Sequence, residues 1–177
     1  MTEKIICAGF GGQGIVTMGR MLAYAAMLEG RNVTCIPKYG AEMRGGTAHC
    51  MVIISDNLIS SPLVILPDTA IIMNVASLAK FKNIVKKGGR LFLNTSLVQK
   101  EIERKDIKVI EIPATEIAVK LGQVKIANMV ILGAYLKQKK MFSKESVFTA
   151  LEKVLNKAEL LLLNKEAIQR GIEYVKG

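Results

Sequence analysis

Apolar residues follow two rhythms along this chain. Short runs are apolar at almost every position: Ile5-Ile-Cys-Ala8, Met51-Val-Ile-Ile54, Ala70-Ile-Ile-Met73 and Leu91-Phe-Leu93. Between them lie longer stretches in which apolar residues recur every three or four positions, as in Ile15, Met18, Leu22 and Ala25 or Ala26. The first rhythm predicts buried strands and the second amphipathic helices. Strands are expected at 1–8, 32–36, 49–55, 69–74, 90–94 and 108–112, and 58–60 reads as the short partner of a hairpin built on 49–55. Helices are expected at 12–29, stopped by Gly30, and at 76–85, 114–121, 126–139, 144–155 and 158–175. Ser143 is a good N-cap for the helix that starts at Lys144. The helix at 126–139 is expected to pack through Met129, Leu132, Gly133 and Leu136.

Such alternation predicts an α/β fold, a Rossmann-like, doubly wound and mostly parallel sheet with helices on both faces. A small antiparallel excursion is expected near residues 49–60. No linker, repeat or low-complexity tract interrupts the pattern, so residues 1–177 are read as one domain.

The first strand ends in Gly9-Phe-Gly-Gly-Gln-Gly14, and a helical pattern follows at once. Strand, glycine turn and helix open a βαβ unit whose helix presents unpaired N–H groups above the turn. A dinucleotide site also needs an acidic residue at the end of the second strand. Here Pro37-Lys38-Tyr39 stands there, and Glu29 precedes the strand. Close helix–strand packing is one reading of Gly11 and Gly14, within the run that also holds Gly9 and Gly12. With Gln13 beside them, a loop that faces something outside the chain is the other. A stand-alone nucleotide-binding protein and a pure assembly subunit both stay open on the residues alone.

A second glycine-rich stretch, Pro37-Lys-Tyr-Gly-Ala-Glu-Met-Arg-Gly-Gly-Thr47, follows the second strand and exceeds a mere connection. Both loops follow strand ends, so they should lie side by side on the edge where such sheets bind ligands. Together they offer Gln13, Tyr39, Gly40, Glu42, Arg44, Gly45 and Gly46. Arg44 suits a carboxylate or phosphate. Glu42 accepts a proton or simply ties down Arg44. No set of nucleophile, base and orienting group is visible, so no catalytic residue is assigned.

Composition narrows the classes further. No apolar run approaches the roughly 20 residues that cross a bilayer, and no signal peptide precedes the first strand, so a cytoplasmic protein without membrane contact is expected. The three cysteines, Cys7, Cys35 and Cys50, all fall in strands and form no Cys-x-x-Cys pair, so they read as buried small hydrophobes. With His49 as the only histidine, no metal site is expected. The net charge of +10 comes from lysines scattered among few aromatics, which argues against nucleic acid and leaves acidic protein partners or a solvated surface.

The motif Gly9-Phe-Gly-Gly-Gln-Gly-Ile-Val16, followed by Lys38-Tyr-Gly-Ala-Glu-Met-Arg-Gly-Gly-Thr-Ala48, resembles the gamma subunit of 2-oxoacid:ferredoxin oxidoreductases. The resemblance runs the length of the chain and includes Asn128 at a helix start and Leu161-Leu-Leu-Asn-Lys-Glu-Ala-Ile168. It implies a multi-subunit enzyme that decarboxylates a 2-oxoacid on thiamine diphosphate, passes electrons through [4Fe-4S] clusters to ferredoxin and makes an acyl-CoA. Those cofactors would sit in partner subunits (alpha, beta and, where there is one, delta), with none bound by this chain alone. The two loops would face those partners. Tyr39-Gly-Ala-Glu-Met-Arg-Gly-Gly46 is similar to the 2-oxoglutarate and branched-chain enzymes, whereas pyruvate-type chains show Phe-Gly there with Arg at the place of Met43. An isolated chain is expected to self-associate through the surface meant for its partners.

Overall fold

A computed structural model describes residues 1–40, 46–99, 101–155 and 158–175. The strands are β1 (Thr2–Phe10), β2 (Asn32–Tyr39), β3 (Thr47–Ser55), β4 (Thr69–Ile72), β5 (Arg90–Asn94) and β6 (Lys108–Ile112). The helices are α1 (Ile15–Leu28), α2 (Val75–Phe81), α3 (Ala114–Lys120), α4 (Ala127–Lys139), α5 (Lys144–Val154) and α6 (Leu161–Tyr174).

The six strands form one sheet in the order β2-β3-β1-β4-β5-β6. β1, β4, β5 and β6 are parallel, whereas β3 runs antiparallel to both of its neighbours, β1 and β2. The expected α/β sheet is therefore present with its antiparallel excursion, but the excursion is wired differently. Residues 58–60 form no strand. β3 instead pairs with β2 on one side and inserts against β1 on the other. Pro37, which lacks a ladder donor, sits inside β2 because β2 is the edge strand and its outer side needs no partner. That is why β2 runs on to Tyr39 rather than stopping at Ile36.

Alternation along β1 divides the core. Ile5 and Cys7 point into one apolar cluster with α1, α4, α5 and α6. Ile6 and Ala8 point into the other, with Met51, Ile53, Leu78 and Phe81. On α1 the expected face is buried: Ile15, Met18, Leu22, Ala25 and Ala26, joined by Met21. Each large side chain there contributes about 1.5–3 kcal/mol of burial. Gly30 takes φ 71° just after α1, where its N–H bonds Met27 O and the next N–H, of Arg31, bonds Ala26 O. Ser143 caps α5, its Oγ accepting from Ser146 N at 3.1 Å.

α4 shows no single packed face. Every residue from Ala127 to Tyr135 is buried, because α4 lies between the sheet and α6. Gly133 and Gly171 allow the close approach of α4 and α6. A Cβ on Gly133 would stand 2.1 Å from Ile168 O, and one on Gly171 would stand 1.9 Å from Val130 O.

At the amino edge of the sheet, buried Glu3 accepts from Thr69 Oγ1 at 2.6 Å and pairs with Lys139 Nζ at 2.6 Å. These contacts join β1, β4 and the last turn of α4, and each group satisfies the charge or polarity of the next. Cys7 and Cys50 are fully buried, and Cys35 is only half-buried, with its Sγ 3.4 Å from Cys50 Sγ. Burial pushes the Cys7 thiol well above the ordinary range, so it behaves as a small hydrophobe.

Candidate functional site

Strand register brings the two glycine-rich loops together. Phe10 at the end of β1 lies opposite Thr47 at the start of β3, and Tyr39 at the end of β2 lies opposite Ala48. The residues beyond them meet at the carboxyl edge. Gly11 N–H donates to Gly46 O at 3.0 Å, and Gly40 N–H donates to Thr47 O at 2.8 Å. The expected adjacency is present, but its route is β3 inserted between β1 and β2 rather than two neighbouring parallel strands. Tyr39 is 70% exposed, Gly40 is exposed and Gly46 is buried. Glu42, Arg44 and Gly45 lie outside the described residues.

The glycine loop proves to be pinned from within. Gln13 folds back: its Oε1 accepts from Phe10 N at 2.7 Å, and its Nε2 reaches Met73 O at 3.5 Å. Gly9 lies directly beneath it, with space for a Cβ already taken by Gln13 Oε1 and Ile15. Gly14 is held as tightly. It has φ 70° and accepts from Asn128 Nδ2 at 3.1 Å, and a Cβ there would stand 2.3 Å from that nitrogen. Gly12 carries φ 91° over open space. Gly9, Gly14 and Gln13 therefore serve the loop's own shape. Gly11 and Gly12 are exposed at the edge.

α1 begins at Gly14, which has no side chain to cap it, and its first backbone bond is Met18 N to Gly14 O at 2.9 Å. The N–H groups of the first turn are left to solvent or to a visitor. Beside them is a crevice of about 210 Å3. Gly12, Gln13 and Met73 line it together with Leu97, Thr115, Val124, Lys125 and Ala127. Two buried asparagines shape this edge. Asn74 Oδ1 caps α2 by accepting from Ser77 N at 2.7 Å. Asn94 joins the end of β5 to the start of α3, donating to Thr115 Oγ1 at 2.9 Å and accepting from Thr115 N at 3.3 Å. Sequence reasoning passed over Asn74, Asn94, Thr115 and Lys125 as site-shaping residues. A polar amide directly after a buried apolar run, as in Ile-Ile-Met-Asn74 and Leu-Phe-Leu-Asn94, is the signal that would have found two of them.

The edge is thus apolar and amide-lined, with one ammonium, Lys125, at its rim. It tolerates an anionic or neutral visitor but contains no base poised on a nucleophile among the described residues. His49 sits two residues inside β3, its ring 5.1 Å from that of Phe81. Burial, then the charges of Lys80 and Lys38, lower its pKa, so it is neutral at pH 7. Among the described residues no three His, Cys, Asp or Glu side chains converge as a metal site. A cubane cluster needs four cysteine ligands, and the chain has three cysteines, all within the sheet. Nor does the geometry suit a dinucleotide. The second strand lies one strand away from the glycine turn, and its end carries Lys38 and Tyr39 rather than an acid. No helix among the described residues is long and apolar enough to cross a membrane.

Residues 4–174 match the family of pyruvate ferredoxin/flavodoxin oxidoreductases. The chain is 34% identical over 175 residues to the ketoisovalerate oxidoreductase subunit VorA of Methanothermobacter thermautotrophicus, a match covering 98% of this chain and 36% of that one. It therefore spans about a third of the length of that relative. It is 36% identical over 156 residues to the 2-oxoglutarate synthase subunit KorC of Methanocaldococcus jannaschii, covering 85% of this chain and 82% of that one. The crystal structure of a keto/oxoacid ferredoxin oxidoreductase gamma subunit from Geobacter sulfurreducens superimposes with a TM-score of 0.83 at 28% identity, over 97% of this chain and 96% of that one. Sequence and fold agree along nearly the whole length, and the chain belongs to the pyruvate ferredoxin/flavodoxin oxidoreductase family.

Proposed function

We propose that this chain is the gamma subunit of a multi-subunit, cytoplasmic 2-oxoacid:ferredoxin oxidoreductase, and that its complex acts on 2-oxoglutarate. In such a complex alpha, beta and, where present, delta subunits hold the thiamine diphosphate and [4Fe-4S] clusters. There the 2-oxoacid loses carbon dioxide, its electrons reach ferredoxin, and the acyl group leaves on CoA. This chain's part is to present a shaped edge to the subunits that carry the chemistry.

One observation carries the reading. The Gly11–Gly46 bond ties the glycine turn to the start of β3 at the strand ends, and among the described residues that edge lacks a catalytic set of its own. Gly11, Gly12, Tyr39 and Gly40 are exposed on it, and we assign Glu42, Arg44, Gly45 and Gly46 to the same partner-facing role from the family motif. Gly9, Gln13 and Gly14 hold the glycine turn in place. The 2-oxoglutarate preference rests on Tyr39 and the Met43-Arg44 pair, and on relatives named for 2-oxoglutarate beside others named for ketoisovalerate.

The test is gentle affinity purification of this chain from its native cells, followed by an anaerobic assay of 2-oxoacid-dependent viologen reduction. Co-purification of larger subunits, with activity highest on 2-oxoglutarate, is the expected result. Activity highest on 3-methyl-2-oxobutanoate would overturn the substrate, and recovery of the lone inactive chain would overturn the function. Arg44→Ala is expected to keep the stability of the isolated chain within about 1 kcal/mol while lowering the activity of the complex. Unfolding of that variant would make Arg44 a structural residue.

A further inference from the structure

We propose that a groove bounded by α4, α5 and α6 is a second docking surface, built for an acidic amphipathic helix of a partner subunit. The inference rests on the reading of the chain as a subunit, and it concerns a surface separate from the strand-end loops.

The groove encloses about 350 Å3. Its floor is apolar: Leu136 from α4, Phe142 before α5, Phe148 from α5, and Ile168 and Ile172 from α6. Its rim is basic. Lys137, Lys140 and Lys144 all border it, no Asp or Glu does, and none of the three lysines forms an ion pair among the described residues. The neighbouring lysine goes elsewhere: Lys139 turns to the opposite side of α4 and neutralises Glu3. Lys140 is held at the rim by its backbone, which takes φ 49° at the end of α4 where glycine is usual. Lys144 lies over the Phe148 ring at 5.4 Å.

An apolar trough between helices, at the spacing of Ile168 and Ile172, fits the ridge of another helix. Three unneutralised ammonium groups around it select carboxylates on the flanks of that ridge. The larger hollow between α3 and α6, about 460 Å3, lacks this bias, because its Arg170 is already paired with Glu166 and Glu173.

The experiment uses the purified complex. A carbodiimide, which joins ammonium and carboxylate groups without a spacer, is applied and the linked peptides are identified by mass spectrometry. Links from Lys137, Lys140 or Lys144 to Asp or Glu in a helical segment of another subunit are the expected result. The triple variant Lys137→Glu/Lys140→Glu/Lys144→Glu should weaken assembly about tenfold or more at low salt. Lys→Gln at the same three positions should lose less. Links to a second copy of this chain would overturn the proposal. So would a complex whose other lysines cross-link while these three do not, with the triple variant assembling normally. In both cases an active complex leaves the functional reading standing, whereas failure to recover any complex would strike that reading instead.

Discussion

The two faces of the sheet are finished to different degrees. On one face α1 and α4 lie against the strands, and α5 and α6 pack beyond them, so α4 is enclosed and the apolar cluster extends through two helical layers. On the other face α2, a helix of seven residues, shares the cover with irregular segments. One of those segments, between β3 and β4, buries Val64 but leaves Leu58, Leu63, Ile65 and Leu66 at 50–89% exposure. The first face buries a continuous core and opens only at the groove between α4, α5 and α6. The second keeps apolar side chains in water along one continuous stretch, as surfaces awaiting a neighbour do. The core that sets stability and the exposed apolar stretch between β3 and β4 therefore lie on opposite sides of one sheet, and substitutions should separate them.

The largest effect should come from the finished face. Gly171→Leu places side-chain atoms where Val130 O already stands, forcing α6 off α4, and is expected to cost about 3 kcal/mol in urea unfolding. A change below about 1 kcal/mol would mean that the contact yields and the face is less rigid than described. Glu3→Ala comes next. It strands Lys139 and removes the acceptor of Thr69 Oγ1, at an expected cost of about 2 kcal/mol. Thermal unfolding of this variant and of the double variant Glu3→Ala/Lys139→Ala would show whether the loss belongs to the pair.

On the open face the order reverses. Leu58→Ser with Ile65→Ser should move stability by no more than about 0.5 kcal/mol, yet should reduce self-association of the isolated chain in sedimentation velocity. Equal association of variant and parent would place the sticky surface elsewhere. The smallest effect joins α1 to α5. Glu29 Oε1 accepts from Ser143 N at 2.8 Å, and that bond, with help from Ser146, holds its carboxyl below the usual range. A lowered carboxyl pKa stabilises above its unfolded value, near 4.3. Its contribution is lost as pH falls through the folded value. Glu29→Gln should thus lie slightly below the parent at pH 7 and converge with it in acid.

Local pattern made much of this legible. β5 and β6 have the bounds expected of Arg90–Asn94 and Lys108–Ile112: the central strand β5 announces itself by the apolar run Leu91-Phe-Leu93, and the edge strand β6 by partial alternation closed by Pro113. The buried face of α1 and the Ser143 cap were equally readable. What escaped was decided at long range. Leu58–Ser60 carries the pattern of a hairpin partner, but β3 already has a strand on each side. α4 reads as one-faced, although α6, more than 30 residues later, covers what α4 would otherwise expose. The family resemblance was carried by two loops that register then joined. Residue type alone did not reveal the internal bond of Gln13, whose Oε1 accepts from Phe10 N within its own loop.

The placement of β3 also governs how the chain is made. β1 takes both of its partners from later in the chain, residues 47–55 and 69–72. Its apolar run, Ile5 to Ala8, thus has no partner until β3 has been made, about forty residues later, and is not enclosed on both sides until β4 follows, about sixty residues after β1. At usual elongation rates that is a wait of several seconds or more. During that interval β1 is the segment most in need of a chaperone, and the arrival of β4 is the event that ends the exposure.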